Sequence, residues 1–350
     1  MSNYKIIETA TKKILKSSNY NFIFNKKNGA FVRWGSSYLE DPNYSEFGPE
    51  LVDIEVSTIC TKGCSFCYKD NKYSGKNMSL DTYAKILHKL PKTVTQVALG
   101  VGNLNANREL YQMMELSRLK GIIPNITVHP ADVNVTTAQL LATYTGAVAV
   151  SMYNKFETYE AVQYLYKAGV EQVNIHFLLY EESKIDAISM LKDIAVNKHL
   201  KNKINAVIFL SLKKKGKALD KKNNLFTLAS KETFKEVIEV AESLNIKYGF
   251  DSCSAFKYLD AIKNSKNFEL KKQFAEPCES TLFSAYFNVD GEFFPCSFTE
   301  GTLGWKEGIN ITDSKIDFIK DIWNSDRVKL FRKKTLSCRE CNINCQIYEI

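Results

Sequence analysis

The chain has 350 residues, of which 45% are hydrophobic and 25% charged, and a formal net charge of +8. This balance is typical of a globular protein with a substantial core, and it excludes long disordered segments. The lysines are scattered, so charge alone neither indicates nor excludes a nucleic-acid partner. No secretory signal opens the chain, and no apolar run reaches the about 20 residues that span a bilayer. We therefore expect a cytoplasmic protein without a membrane partner.

The first predicted element is a β-hairpin within residues 1–50, with Asn28-Gly29 as its turn. From residue 51, a short apolar run followed by an amphipathic stretch occurs six times, and a seventh apolar run follows the last of these units. This alternation predicts parallel strands joined by helical crossovers. A partial α/β barrel and a doubly wound sheet both fit, and in either fold ligands bind where the strands end. The predicted strands are 51–56, 96–100, 125–129, 147–151, 172–177, 205–210 and 247–251, and the predicted helices are 80–90, 107–120, 136–145, 158–168, 182–197 and 230–245.

This alternation ends near residue 253. Beyond it the sequence predicts a helix over 256–274, a second hairpin with Asp290-Gly291 as its turn, and an amphipathic helix over 314–333. The chain therefore divides into three predicted segments: an N-terminal extension, an α/β barrel and a C-terminal module. Their boundaries are 1–50, 51–253 and 254–350.

Three cysteines, Cys60, Cys64 and Cys67, form a C-x3-C-x2-C group directly after the first predicted strand. In a cytoplasmic chain, cysteines indicate metal ligands or catalytic groups rather than disulfides. A four-iron cluster is held by cysteine thiolates and normally takes four, so three close ligands would leave one iron open. A zinc site with a distant fourth ligand is the alternative.

With Phe66 before its third cysteine, this group resembles the signature of the radical S-adenosylmethionine (SAM) superfamily. The resemblance covers about residues 51–253 and implies a partial (β/α)6 barrel. It also implies that SAM chelates the open iron and that one electron from the cluster cleaves SAM to methionine and a 5′-deoxyadenosyl radical. An electron donor such as flavodoxin or ferredoxin is then an implied partner, and Phe66 belongs to the cofactor site.

Superfamily members carry a Gly-Gly-Glu-like segment after the second strand, which contacts the amino group of SAM. The corresponding segment here lacks the acidic residue, so backbone carbonyls would accept from the ammonium instead. A tight loop that needs positive φ is the alternative. The segment consists of Gly100, Val101, Gly102 and Asn103.

Polar side chains at the ends of later strands are further candidates. The resemblance implies that Ser151 and His176 contact the SAM ribose or carboxylate, and His129 is placed similarly. Each is otherwise a satisfied core or rim residue. The lysine run that begins at Lys213 is expected to be a solvated loop, although a cation there would suit the SAM carboxylate or an acidic substrate.

Cys253 and Asp251 follow the last predicted strand, where a barrel places its chemistry. We predict both as catalytic residues, the thiol as a hydrogen-atom donor and the carboxylate as a base. Cys253 has three other interpretations: a ligand of a second cluster, a residue that binds substrate, and a small buried hydrophobic residue.

The remaining cysteines flank the second predicted hairpin and close the chain. Their spacing around Gly291 resembles the Twitch module, a shortened relative of the SPASM domain, and implies an auxiliary four-iron cluster. A structural zinc site that uses the same thiolates is the alternative. The candidate ligands are Cys278, Cys296, Cys338, Cys341 and Cys345, of which Cys345 is the uncertain member.

The resemblance implies an enzyme that abstracts hydrogen from a substrate, and we favour a peptide or protein side chain, with the auxiliary cluster assisting. Residues 1–50 are too short for a complete winged helix that binds a leader peptide, so a partner protein would supply that function. The alternatives are a dehydrogenase, decarboxylase or epimerase of a sugar or nucleoside, a nucleic-acid-modifying enzyme, and a zinc-stabilised binding protein without catalysis.

Overall fold

The computed structural model describes residues 4–219, 226–302 and 304–348. Its N-terminal part is a four-stranded antiparallel sheet with its strands in chain order. The predicted hairpin is confirmed as the last two strands, but the first two were missed because they are short and rich in lysine. The strands are Lys5–Glu8 (β1), Lys12–Lys16 (β2), Asn21–Asn25 (β3) and Phe31–Trp34 (β4).

The next part is a run of parallel strands that alternate with helices, as predicted. The strands are Leu51–Glu55 (β5), Gln96–Gly100 (β6), Ile123–Val128 (β7), Ala147–Ser151 (β8), Gln172–Leu179 (β9), Ala206–Ser211 (β10) and Tyr248–Phe250 (β11). The helices are Leu80–Lys89 (α1), Leu110–Leu119 (α2), Val135–Tyr144 (α3), Lys155–Ala168 (α4), Lys184–Val196 (α5) and Lys231–Ser243 (α6).

Each of these strands lies beside its neighbour in sequence, from β5 through to β11. A doubly wound sheet would reverse its strand order at a switch point. The unbroken order therefore decides for the partial α/β barrel. Among the described residues, no helix is both long and apolar enough to span a bilayer.

Local signals set the helix ends. The Ser79 hydroxyl accepts a hydrogen bond from Thr82 N and caps the start of α1. Gly169 ends α4 with φ +93°, a left-handed conformation that glycine adopts without strain. Along β9 fully buried and half-buried residues alternate, so one face packs in the core and the other, which carries His176, faces the barrel interior.

The C-terminal part differs from its prediction in both helices. The expected helix over 256–274 is two helices, Ala255–Ile262 (α7) and Phe268–Lys272 (α8), because the polar stretch between them forms a turn. The expected helix over 314–333 is a π-helical turn, Phe318–Trp323, followed by Asp326–Glu340 (α9), which Ser325 caps.

The second predicted hairpin is present and extends the barrel sheet. Its strands are Ser284–Phe287 (β12) and Glu292–Phe294 (β13), and a two-residue strand, Ile309–Asn310 (β14), pairs with β13. β12 runs parallel to β5, which places Tyr286 opposite Asp53 in a ten-stranded sheet. The sheet therefore continues across the boundary at residue 253, and the division into segments stays a prediction.

Arg33 of β4 ties the N-terminal sheet to the chain that leads into β12. Its guanidinium lies 3.6 Å from the centre of the Phe283 ring and 3.1 Å from the Glu50 carboxylate. It also binds Glu276 at 2.7 Å and Glu279 at 3.0 Å. One buried cation thus joins β4 both to Glu50, just before β5, and to a segment more than 240 residues away in sequence.

Candidate cluster sites

The first cysteine group lies in the loop that follows β5, at the carboxyl edge of the barrel. Cys60, Cys64 and Cys67 are each partly exposed. Within the loop, Cys67 N donates to Cys64 O at 3.2 Å, and Gly63 turns the chain with φ +69°. The thiols therefore sit where barrel proteins place their chemistry.

The 100–103 segment after β6 packs directly against this loop. Asn103 N donates to Ile59 O at 3.2 Å, and the Asn103 side chain exchanges hydrogen bonds with Thr61. The positive φ that a tight loop would need is not adopted at Gly100 or Gly102. Gly102 is instead required for space, because a Cβ there would lie 2.6 Å from Cys60 Cβ and would also strike Ile59 O.

An aromatic stack borders the same loop. The Phe66 ring lies 5.6 Å from that of Tyr153, and Tyr153 stacks in turn on His129 at 4.4 Å. Burial and the neighbouring Cys64 thiol raise the pKa of Tyr153, and the Cys67 and Cys60 thiols act in the same direction. Tyr153 therefore adjoins all three cysteines, although no sequence motif marks this loop residue two positions beyond β8.

Ser151 and His176 are partners in the register of β8 and β9, so both side chains face the barrel interior. The Nδ1 atom of His176 lies 3.3 Å from Thr127 Oγ1. Burial lowers the pKa of His176 to about 4, so its imidazole is neutral at pH 7. It can therefore hydrogen-bond a ligand without adding charge.

The lysine loop after β10 corrects an expectation. Lys213 is buried rather than solvated, and its Nζ forms an ion pair with Asp251 at 2.6 Å. Lys215 donates to the carbonyl oxygens of Phe298 and Glu300, at 3.1 and 2.9 Å. The loop thus binds both the chain after β11 and the chain after β13.

The C-terminal cysteines gather on one side of the barrel. Burial raises the pKa of Cys278 to about 12, and the charges of Cys296 and Cys345 act in the same direction. Cys338 lies in the last turn of α9, and Cys341 is its exposed C-cap. Cys345 is thus placed beside Cys278 and Cys296, although the sequence left its membership of the group uncertain.

Cys253 faces this group from the barrel. Burial raises the pKa of its thiol, while the charge of Lys213 opposes that shift. The charges of Cys278 and Cys296 also act on Cys253, so it lies near them. Asp251, the other predicted catalytic residue, is held by Lys213 and accepts a hydrogen bond from Ser254 Oγ at 2.5 Å.

A buried polar network links the two cysteine regions. Lys69, two residues after Cys67, lies 3.2 Å from Glu55 Oε1 and donates to the Tyr286 hydroxyl at 2.8 Å. It also binds Glu300, four residues after Cys296. One lysine thus joins β5, β12 and the loop after β13.

Within the described ranges, no three side chains of cysteine, histidine, aspartate or glutamate converge on a point that would hold one metal ion. The donors that gather at both sites are thiols, which as thiolates are the ligands of iron–sulfur clusters. At the first site, Gly102 also leaves the Cys60 side of the loop free of a competing side chain. The residues present therefore fit a cluster at each site.

The C-terminal module matches a known family. Residues 278–345 match the model of SPASM, an iron–sulfur cluster-binding domain. No curated protein matches the chain.

The whole fold is similar to that of solved structures of Streptococcus suis SuiB. In complex with the precursor peptide SuiA, SuiB is 13% identical with a TM-score of 0.67, and the match covers 90% of this chain and 89% of SuiB. In complex with S-adenosylmethionine, it is 13% identical with the same TM-score, and the match covers 97% and 94%.

In fold, the chain is therefore a partial α/β barrel similar to that of SuiB. Its C-terminal part is similar to the SPASM iron–sulfur cluster-binding domain. The predicted fold, a partial α/β barrel followed by a C-terminal module, is confirmed.

Proposed function

We propose that the chain is a radical SAM enzyme that modifies a peptide. The observation that carries the proposal is the geometry of the first site. Cys60, Cys64 and Cys67 share one loop at the carboxyl edge of the barrel, and Gly102 of the next loop leaves room beside Cys60. Three thiolates there would hold three irons of a four-iron cluster and leave the fourth for SAM.

The residues around this loop would bind and orient SAM. The stack of Phe66, Tyr153 and His129 offers flat surfaces for the adenine ring. Ser151 and the neutral His176 would hydrogen-bond the ribose or carboxylate, and the backbone of residues 100–103 would accept from the ammonium. When bound, the cluster and SAM supply a 5′-deoxyadenosyl radical, and the protein orients and shields that chemistry.

The C-terminal module would hold an auxiliary cluster through four of its five cysteines. Cys278, Cys296 and Cys345 lie together, and Cys338 lies close to both Cys345 and Cys341. Cys253 lies near this group and Asp251 lies near Cys253, and we expect both to act on the substrate. The peptide class is supported by the fold shared with SuiB, which was solved with its precursor peptide.

Product analysis tests the proposal. The chain is reconstituted anaerobically with iron and sulfide and incubated with SAM, dithionite and short peptides encoded beside its gene. We expect 5′-deoxyadenosine and methionine, and transfer of deuterium from a labelled peptide into 5′-deoxyadenosine. The Cys64→Ala variant should lose both products, whereas Ser65→Ala, at an exposed position of the same loop, should retain them.

Two outcomes would contradict parts of the proposal. A colourless zinc-containing protein that does not cleave SAM would overturn the enzyme assignment. SAM cleavage that transfers deuterium from a sugar or nucleoside, and from no peptide, would overturn the substrate class only.

A further inference from the structure

The first cysteine loop and the SPASM domain touch at Tyr68. Tyr68 follows Cys67 in the chain, and its hydroxyl donates a hydrogen bond to Ser297 Oγ at 3.3 Å. Ser297 directly follows Cys296. Cys67 is a proposed ligand at the first site, and Cys296 is a proposed ligand at the second. One hydrogen bond therefore joins the residues that directly follow these two cysteines.

An aromatic contact runs beside this hydrogen bond. The ring centres of Tyr68 and Phe298 lie 4.4 Å apart at an interplanar angle of 35°. Lys213 Nζ lies 4.7 Å from the centre of the Phe298 ring, and Tyr348 meets that ring edge-on at 6.4 Å. Side chains from the barrel and the C-terminal segment therefore enclose Phe298.

The lysine loop after β10 fixes both ends of the contact. Lys217 N donates to Cys67 O at 2.9 Å, while Lys215 Nζ binds the Phe298 carbonyl oxygen at 3.1 Å. Gly216 lies so close that a Cβ there would meet the carbonyl oxygens of Cys67 and Tyr68 at 2.5 Å. The same short loop thus holds the chain on each side of the Tyr68–Phe298 pair.

We propose that Tyr68, with Ser297 and Phe298, is the contact through which the two cluster sites exchange an electron. The inference rests on the proposed function, because it needs a cluster at each site. One electron leaves the reduced cluster, which is thereby oxidised, and enters the other cluster, which is reduced. No bond forms or breaks and no further reactant is needed. Tyr68 is a positioning residue in this step, since it bridges the two ligand loops and binds neither iron nor substrate.

The test compares variants of this contact with a matched tyrosine. Tyr68→Phe removes the hydrogen bond to Ser297 and keeps the ring, Ser297→Ala removes the other partner, and Phe298→Leu removes the aromatic contact. Tyr83→Phe is the control, because its hydroxyl lies 2.6 Å from Ser117 Oγ, in a buried pair within the barrel core. The reconstituted full-length proteins receive a substoichiometric pulse of photoreductant, and rapid freeze-quench electron paramagnetic resonance follows the electron between the two clusters.

The signals of the two clusters are assigned with Cys60→Ala and Cys278→Ala variants. We expect Tyr68→Phe and Phe298→Leu to slow electron transfer between the clusters several-fold. Both variants should hold both clusters, with unchanged midpoint potentials. Tyr83→Phe should transfer the electron at the rate of the unmodified protein.

Wild-type rates in all three contact variants would overturn the inference. Loss of a cluster from all three would also overturn it, because Tyr68 would then have only a structural role. A wild-type chain that holds one cluster, or does not cleave SAM, would instead overturn the proposed function on which the inference rests.

Discussion

Substitution of Gly102 by alanine should disable the first cysteine site, whereas the same change at Gly100 should not. A Cβ at position 102 would lie 2.6 Å from Cys60 Cβ, about 0.8 Å inside the 3.4 Å at which ordinary contacts begin. A Cβ at position 100 would have its nearest neighbour, Glu55 Cα, at 3.5 Å. Neither glycine has a positive φ, so the pair differs in space alone.

The overlap translates into two expected losses. Overpacking of this kind costs about 1–3 kcal/mol of unfolding free energy. Metal–ligand distances tolerate only about 0.2 Å, so a Cys60 displaced by several times that distance should no longer hold its iron. We therefore expect Gly102→Ala to lose stability and most of the iron of the first site, and Gly100→Ala to stay within about 0.5 kcal/mol of the unmodified protein.

Iron and sulfide analysis after anaerobic reconstitution measures the first loss, and denaturant unfolding measures the second. The auxiliary site provides an internal reference, because Gly102 contacts only the first loop among the atoms nearest to its Cβ. Full loading of both sites in Gly102→Ala, with unfolding like that of Gly100→Ala, would refute the reasoning.

Three further predictions concern buried charges. Burial raises the pKa of Asp53 from 3.8 to about 7, so the folded state binds a proton that the unfolded chain releases, and stability should fall as pH rises through this window. Asp53→Asn removes that dependence. As pH rises from about 4 to about 7, the unfolding free energy of the variant should therefore increase relative to that of the unmodified protein, by at most about 4 kcal/mol. A difference between the two proteins that does not change with pH would contradict the raised pKa of Asp53. Arg33→Met leaves the buried Glu50 carboxyl group without its cation and should cost about 3–5 kcal/mol in urea unfolding, and a cost below about 1 kcal/mol would show that this pairing is unimportant. Lys213→Met leaves Asp251 without its cation and should lower the melting temperature. Lys214→Met, at an exposed position, should change the unfolding free energy by less than about 0.5 kcal/mol. Equal effects of the two substitutions would argue against the ion pair.

Local sequence signals predicted most of the barrel. Its strands are buried apolar runs, and its helices begin and end at residues such as Ser79 and Gly169 whose chemistry dictates a boundary. The first cysteine group was predictable for a similar reason, since its three cysteines lie within eight residues of one another. Signals that lie within one short segment can be interpreted without any knowledge of the tertiary fold.

Features created by distant parts of the chain were not predictable. The burial of Lys213 depends on Asp251, 38 residues away, and a run of lysines carries no local sign of such a partner. Tyr153 reaches the cysteines only because β8 ends beside their loop. The pairing of β12 with β5 joins residues more than 200 positions apart, and no periodicity encodes that register.

That pairing has a consequence for the order in which the protein matures. β5 is the first barrel strand to be made, yet one of its two edges is covered by β12, near the end of the chain. Until Ser284–Phe287 emerges from the ribosome, the backbone groups along that edge of Leu51–Glu55 have no strand to bind, and such an edge invites pairing with another chain. A nascent or truncated barrel would therefore need protection from self-association, and the last third of the chain provides it.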